Sequence, residues 1–352
     1  MGAINGTNNY KGRPFLHQFR YRDNTLLVFF QDSHTVSKFE LTLQQQKYKY
    51  WAQQTISLSN GSLYAIGGRR SIEMASIEAD ITNESTLELV ATNEVYRINL
   101  SKSINNRIEL SQSRPCEYLP EARYNHLLLY AAPFIYVIGG QGENSAPLRS
   151  CLRFHTKTKK WSPIKSFDLP CNNLANLAGI STDNQKLYVF DSSGEPLPKV
   201  YQYNIETDLW VQIVIRLKNR GVFIPASIAT SVFQISENKL LILSSEDSSD
   251  TKNKDIQTGF SYFFNLEEEK IEDFRYEKVL NFSTVHVAGH RDFRNNELVY
   301  ISFDQETADL FDKRMGICNR VDFNETRKSA LRFLARNNKS NLLSCGSALC
   351  GL

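Results

Sequence analysis

The chain reads as an all-β protein, a single β-propeller of six blades, each a four-stranded antiparallel sheet. Three observations predict this architecture. First, an apolar strand running into a glycine pair is written twice, as Leu63-Tyr64-Ala65-Ile66-Gly67-Gly68 and Ile135-Tyr136-Val137-Ile138-Gly139-Gly140. Second, the same strand without its glycines recurs at Leu26–Phe30, Leu187–Phe190, Leu240–Leu243 and Val299–Ile301. Counted from the second residue of each word, the later copies stand 52, 53 and 59 residues apart, and a period near fifty built of strands and turns is the spacing of propeller blades. Third, Phe154 stands seven residues before Trp161 and Tyr203 seven before Trp210, with Thr156-Lys157-Thr158 and Glu206-Thr207-Asp208 between them. A third copy, Phe264 to Ile271, replaces tryptophan with isoleucine. Each reads as a strand, a polar turn and an outer strand whose large side chain wedges between neighbouring sheets.

Taken in order, the first unit opens with an inner strand near Phe15 to Tyr21, followed by Leu26–Phe30. The second unit carries Gly67-Gly68 and Tyr96, separated by an insertion that lengthens the interval from Tyr64 to Tyr136 to 72 residues. Within it Ile72, Met74, Ile77, Ala79 and Ile81, then Leu87, Leu89 and Val90, alternate with polar residues, which predicts an extra hairpin on the second blade. The hairpin is expected to pack on its own blade or to meet a partner. The third and fourth units are the fullest; the fifth and sixth rest on strand spacing. The segment after Asn324, with Ala330–Leu334, reads as an outer strand of the sixth blade or a short basic helix. Glycine is expected where strand words end because backbone packed near a crowded axis excludes a side chain.

The third unit, with Arg123 and His126 before its inner strand, Gly139-Gly140 after the next, then Phe154 and Trp161, resembles the kelch repeat. The resemblance covers roughly residues 15–336. It implies a six-bladed kelch-like propeller, with a structural hydrogen bond for His126 and partner-binding loops. Residues 1–14 are then a polar N-terminal extension and 337–352 a C-terminal tail.

Six units of this size account for nearly all 352 residues, so one domain is expected. The net charge of +3 is uneven: Arg327, Lys328, Arg332, Arg336 and Lys339 give the last 27 residues +5, leaving −2 for the rest. That argues against a nucleic-acid-binding surface. The longest apolar stretch, Leu127 to Ile138, is interrupted by Pro133 and suits two buried strands rather than a membrane span. No secretory leader is read in Met1–Asn9, so the six cysteines are expected to be reduced and the protein cytoplasmic.

Catalytic patterns are lacking. No phosphate-cradling glycine loop, Gly-x-Ser-x-Gly or His-Glu-x-x-His motif occurs. His286 and His290 fall in a predicted strand, where four residues span about 13 Å, too far for one ion. Cys345 and Cys350 lack a second close pair. No metal, cofactor or small-molecule substrate is expected.

The expected function is therefore non-catalytic protein–protein interaction. Loops after the second and fourth strands share one face, and loops carry function while strands hold them in place. Units two and three bring Arg69, Arg70, Arg123, Tyr124, Gln141 and Asn144 to it; units five and six bring Glu246, Asp247, Asp250, Asp304 and Glu306. This predicts a face with a basic and an acidic side that orients a protein partner. The resemblance implies a scaffold in a cytoplasmic, cytoskeletal or ciliary complex. Its alternatives are substrate recognition for a ubiquitin ligase with a separate BTB or F-box subunit, and a propeller enzyme such as a kelch-type oxidase or sugar-processing enzyme.

Overall fold

Strand words separated by polar turns become six successive sheets in the computed structural model. The structure describes residues 14–20, 25–30, 35–42, 51–57, 63–72, 88–98, 107–109, 117–168, 177–192, 197–217, 224, 227–236, 238–246, 257–279, 286–292, 297–303 and 319–322. Side chains are described mainly within 63–70, 90–98, 117–168, 177–192, 197–217 and 262–272. Almost everything described is strand or turn.

The first sheet joins β1 (Pro14–Arg20), β2 (Thr25–Phe30) and β3 (Thr35–Thr42) antiparallel, then takes β8 (Arg107–Glu109) in parallel alongside β3. The expectation of four antiparallel strands in chain order is corrected here, because the fourth strand runs parallel to β3 and comes from beyond the first glycine word, Leu63–Gly68. The second sheet runs β4 (Trp51–Ser57), β5 (Leu63–Ile72), β7 (Glu94–Ile98), β9 (Glu117–Tyr118), with β6 (Glu88–Ala91) pairing the far end of β5. That pairing, Arg69 opposite Ala91 through Ile72 opposite Glu88, is the base of the expected extra hairpin. Its centre, with Met74, Ile77, Ala79, Ile81 and Leu87, lies outside the described residues.

Sheets three and four are regular four-stranded meanders: β10 (Leu127–Ala131), β11 (Phe134–Ile138), β12 (Cys151–His155) and β13 (Lys160–Ile164), then β14 (Ala178–Thr182), β15 (Lys186–Asp191), β16 (Lys199–Asn204) and β17 (Leu209–Ile213). The fifth contains β19 (Ser227–Ser236), β20 (Lys239–Glu246), β21 (Gln257–Asn265) and β22 (Lys270–Val279), edged by the parallel β18 (Arg216–Leu217). The sixth, among the described residues, has β23 (His286–Asp292), β24 (Glu297–Phe303) and β25 (Asn319–Asp322). The innermost strands stand side by side in sequence order: β1 by β4, β4 by β10, β10 by β14, β14 by β19, β19 by β23.

The seven-residue spacing is explained by register. Phe154 faces Trp161, Tyr203 faces Trp210 and Phe264 faces Ile271 across their hairpins. The residue after each aromatic builds the turn between them. His155 Nδ1 accepts the amides of Lys157 and Thr158, Asn204 Oδ1 those of Glu206 and Thr207, and Asn265 Oδ1 those of Glu267 and Glu268. Such side-chain turns let the chain reverse without a glycine. Each then passes one residue through the left-handed region, Lys159, Asp208 and Glu269, at φ of 56°, 54° and 51°.

Sheets pack face to face. Between sheets three and four lie Leu129, Tyr136, Leu187, Val189, Tyr201 and Tyr203, and between four and five Ile180, Phe190, Val232, Ile242, Tyr262 and Phe264. Trp210 wedges against Phe167 of the preceding segment with ring centroids 4.8 Å apart, and its indole N–H donates to the Lys165 carbonyl at 3.0 Å. A large side chain that is fully buried, as Phe167 is and the partly buried Trp210 is not, contributes roughly 2–3 kcal/mol of apolar burial. All five residues of β10 are buried, as an inner strand covered on both faces requires.

Candidate functional site

The two glycine words meet at the join of sheets two and three, and Arg123–His126 lies between them. The Gly68 amide donates to the Arg123 carbonyl at 2.8 Å, and the Arg123 amide to the Thr92 carbonyl at 3.3 Å. Gly67 and Gly68 have φ of 58° and 106°, Gly139 and Gly140 of 63° and 95°. A Cβ on Gly67 would stand 2.6 Å from the Arg123 carbonyl oxygen and 2.8 Å from His126 Cε1; one on Gly140 would stand 2.7 Å from the Tyr124 carbonyl oxygen. Gly67 and Gly140 are therefore needed twice over, for their dihedrals and for the segment crossing above them. The crowding neighbour is Arg123–His126.

Arg123, expected on the loop face, is fully buried, and the partner-binding role read for it is corrected accordingly. Its guanidinium donates to the carbonyl of Gly139 at 3.0 Å and of Ser150 at 2.9 Å, to Ser150 Oγ at 2.7 Å and to Glu121 at 3.0 Å. A turn that approaches this closely leaves the buried Gly139 carbonyl and the part-buried Ser150 carbonyl outside the strand pairing, and the guanidinium satisfies them. Burial draws its pKa below the ordinary value, opposed by the Glu121 charge. His126 is buried beside it. Burial first, and the Arg123 charge second, lower its pKa to about 3, so it is neutral near pH 7. The expected structural hydrogen bond reduces to a marginal contact with the backbone of Ile66; packing holds the ring.

Above this clamp the other sequence-predicted residues gather. Tyr124 and Gln141 exchange backbone hydrogen bonds, 2.9 and 2.8 Å, bridging the two segments. The Arg69 guanidinium carbon lies 3.6 Å from the centroid of the buried Tyr124 ring, and the Tyr124 hydroxyl hydrogen-bonds Ser145 Oγ at 2.8 Å. Asn125 donates to Gln141 Oε1 at 3.3 Å, and Gln141 donates to the Ser145 carbonyl at 3.4 Å. Asn144 is exposed in the single-turn 3-10 helix Glu143–Ser145, at a φ of 53°. Arg70 pairs with Glu94 at 3.2 Å. The structure thus brings Arg69, Gln141 and the Asn144 turn into one surface over Tyr124, which was expected on the loop face and is buried beneath it. It also adds Ser145, Asn125 and Glu94, which sequence reasoning passed over; the hydroxyl and amides beside a repeated glycine pair were the available signal.

Glu246 ends β20, and nothing of its side chain is described; Asp247, Asp250, Asp304 and Glu306 lie outside the described residues. Among the described residues no three His, Cys, Asp or Glu side chains are grouped to hold a metal ion. Residues 135–167, from β11 through β13 to Phe167, match the family model described as the Kelch motif. No curated protein matches the chain.

Proposed function

We propose that this kelch-repeat chain is a closed six-bladed propeller and a non-catalytic protein-interaction scaffold within a larger cytoplasmic assembly, cytoskeletal or ciliary complexes included. The observation that carries the reading is the surface at the join of sheets two and three. Its loops are cross-linked by backbone and side-chain hydrogen bonds while Asn144 stays exposed and Arg69 and Gln141 half-exposed. Loops held in one conformation before binding lose little entropy on binding, which favours a partner surface. Arg69, Gln141 and Asn144 form its basic, amide-rich side; Glu246, Asp247, Asp250, Asp304 and Glu306 are proposed as the acidic side.

The test is affinity purification of the tagged full chain from its native source with quantitative mass spectrometry, run beside an Asn144→Arg, Gln141→Ala double variant. The expected result is a small set of proteins recovered near stoichiometry and lost with the variant while its melting temperature is kept. A chain that recovers no protein above background, or carries stoichiometric copper and turns over an alcohol or sugar, refutes the scaffold.

A further inference from the structure

Three arginines enter the cluster, and their charges are handled differently. Arg123 is paired with Glu121, and Arg70 with Glu94. Arg69 has no carboxylate partner among the described residues, and its buried Nε, like that of Arg123, has no hydrogen-bond acceptor among them. Its plane is nevertheless held in place, stacked on Tyr124, whose ring is fixed in turn by the hydroxyl bond to Ser145. A half-buried guanidinium already stripped of part of its water and oriented by stacking gains more from a carboxylate than an exposed, mobile one does.

We propose that Arg69 is the anchor for a carboxylate side chain, Glu or Asp, of the bound partner, accepted bidentately and flanked by Gln141 and Asn144. The inference rests on the scaffold reading and names the chemistry of what the scaffold holds. The charge count selects carboxylate over phosphate. Among the described residues Arg70 and Arg123 are each matched by a glutamate, which leaves Arg69 as the cluster's one positive charge without a carboxylate, and the neighbouring turn carries the amide of Asn144 beside the acidic Glu143. That suits a planar monoanion; a phosphoryl group, near two negative charges at neutral pH, calls for a cluster of cations.

The experiment uses the purified full chain on an array of degenerate twelve-residue peptides whose central residue is Glu, Gln or phosphoserine. Wild type is expected to retain the Glu set about tenfold more strongly than the Gln set. Arg69→Ala is expected to lose about tenfold on the Glu set and nothing on the Gln set, so that the two sets are retained alike. Arg69→Lys, which keeps the apolar stem over Tyr124 and guards against misfolding, is expected to lose most of the preference because its ammonium cannot fork. Lys186→Ala removes the same charge from the exposed start of β15 and is expected to leave retention within twofold. Equal retention of Glu and Gln peptides, absence of binding to any Glu peptide, or an unchanged Arg69→Ala overturns the carboxylate anchor. A phosphoserine preference that depends on Arg69 also overturns it, in favour of phosphate. All of these outcomes leave the scaffold reading standing if the native-source purification still recovers partners; that purification, and not the array, decides the scaffold.

Discussion

Replacing Arg123 with methionine keeps an unbranched apolar stem and removes every donor from the clamp. The buried Gly139 carbonyl then loses its side-chain donor, at about 1–3 kcal/mol, and so does the part-buried Ser150 carbonyl, at about 1–2 kcal/mol because water reaches it in part. The bond to Ser150 Oγ adds less, because that hydroxyl keeps Glu121 at 2.9 Å. The ion pair itself contributes little, since the Glu121 side chain is 48% exposed and screened by water. The sum is about 2–5 kcal/mol for Arg123→Met against under 1 kcal/mol for Glu121→Gln. Urea titration followed by tryptophan fluorescence compares the midpoints; amide exchange at Gly68, which donates to the Arg123 carbonyl, follows the join of sheets two and three directly. A large loss for Arg123→Met with slow Gly68 exchange made fast is the expected result. The reasoning is refuted if Arg123→Met lies within about 0.5 kcal/mol of wild type, or if Glu121→Gln costs as much, since the charge pair rather than the carbonyl bonds would then be the clamp.

Three further outcomes are expected. Gly140→Ala, at a φ of 95° and with its Cβ 2.7 Å from a carbonyl oxygen, destabilises by more than about 2 kcal/mol, read as a fall in the urea midpoint. His126 has a folded pKa of about 3 against about 6.5 unfolded, so below pH 6.5 the unfolded chain takes up a proton that the folded one refuses. Its contribution is intact above pH 6.5 and falls by up to about 1.4 kcal/mol per pH unit down to about pH 3; His126→Leu removes that slope, so the wild-type-minus-variant stability, read from urea midpoints, falls with pH across the window, and a flat difference would refute it. Cys151 is buried, and burial pushes its thiol up to about 12, so alkylation at pH 8 is slow in the native protein and fast in urea, as peptide mass mapping would show.

Much of the strand framework was legible because each strand word carries its own signal. Leu127–Ala131 and Leu187–Phe190 are apolar without interruption, and strands at these positions are what buried inner positions demand. The seven-residue aromatic spacing was legible too, since a hairpin of fixed turn length converts a sequence interval into facing partners. The polar partners were not. That Arg123 turns inward while Arg69 stays near the surface follows from two carbonyls left unpaired by Gly139 and Ser150, and no feature of an Arg-Tyr-Asn-His string reveals where those carbonyls point. Strand exchange was equally hidden: Arg107–Glu109 is short and pairs with a strand more than sixty residues earlier, so its partner is set by space rather than by pattern.

The amino-acid string on its own determined the repeat: period, strand words, glycine pairs and facing aromatics are local signals, read from residues a few positions apart. Tertiary structure alone decided which arginine is buried against backbone carbonyls and which stays half-exposed on a tyrosine ring. Burial and pairing are properties of groups brought together from distant segments, here Glu94, Arg69, Arg123, Gln141 and Ser150, and their energies depend on solvent access that only the packed sheets define.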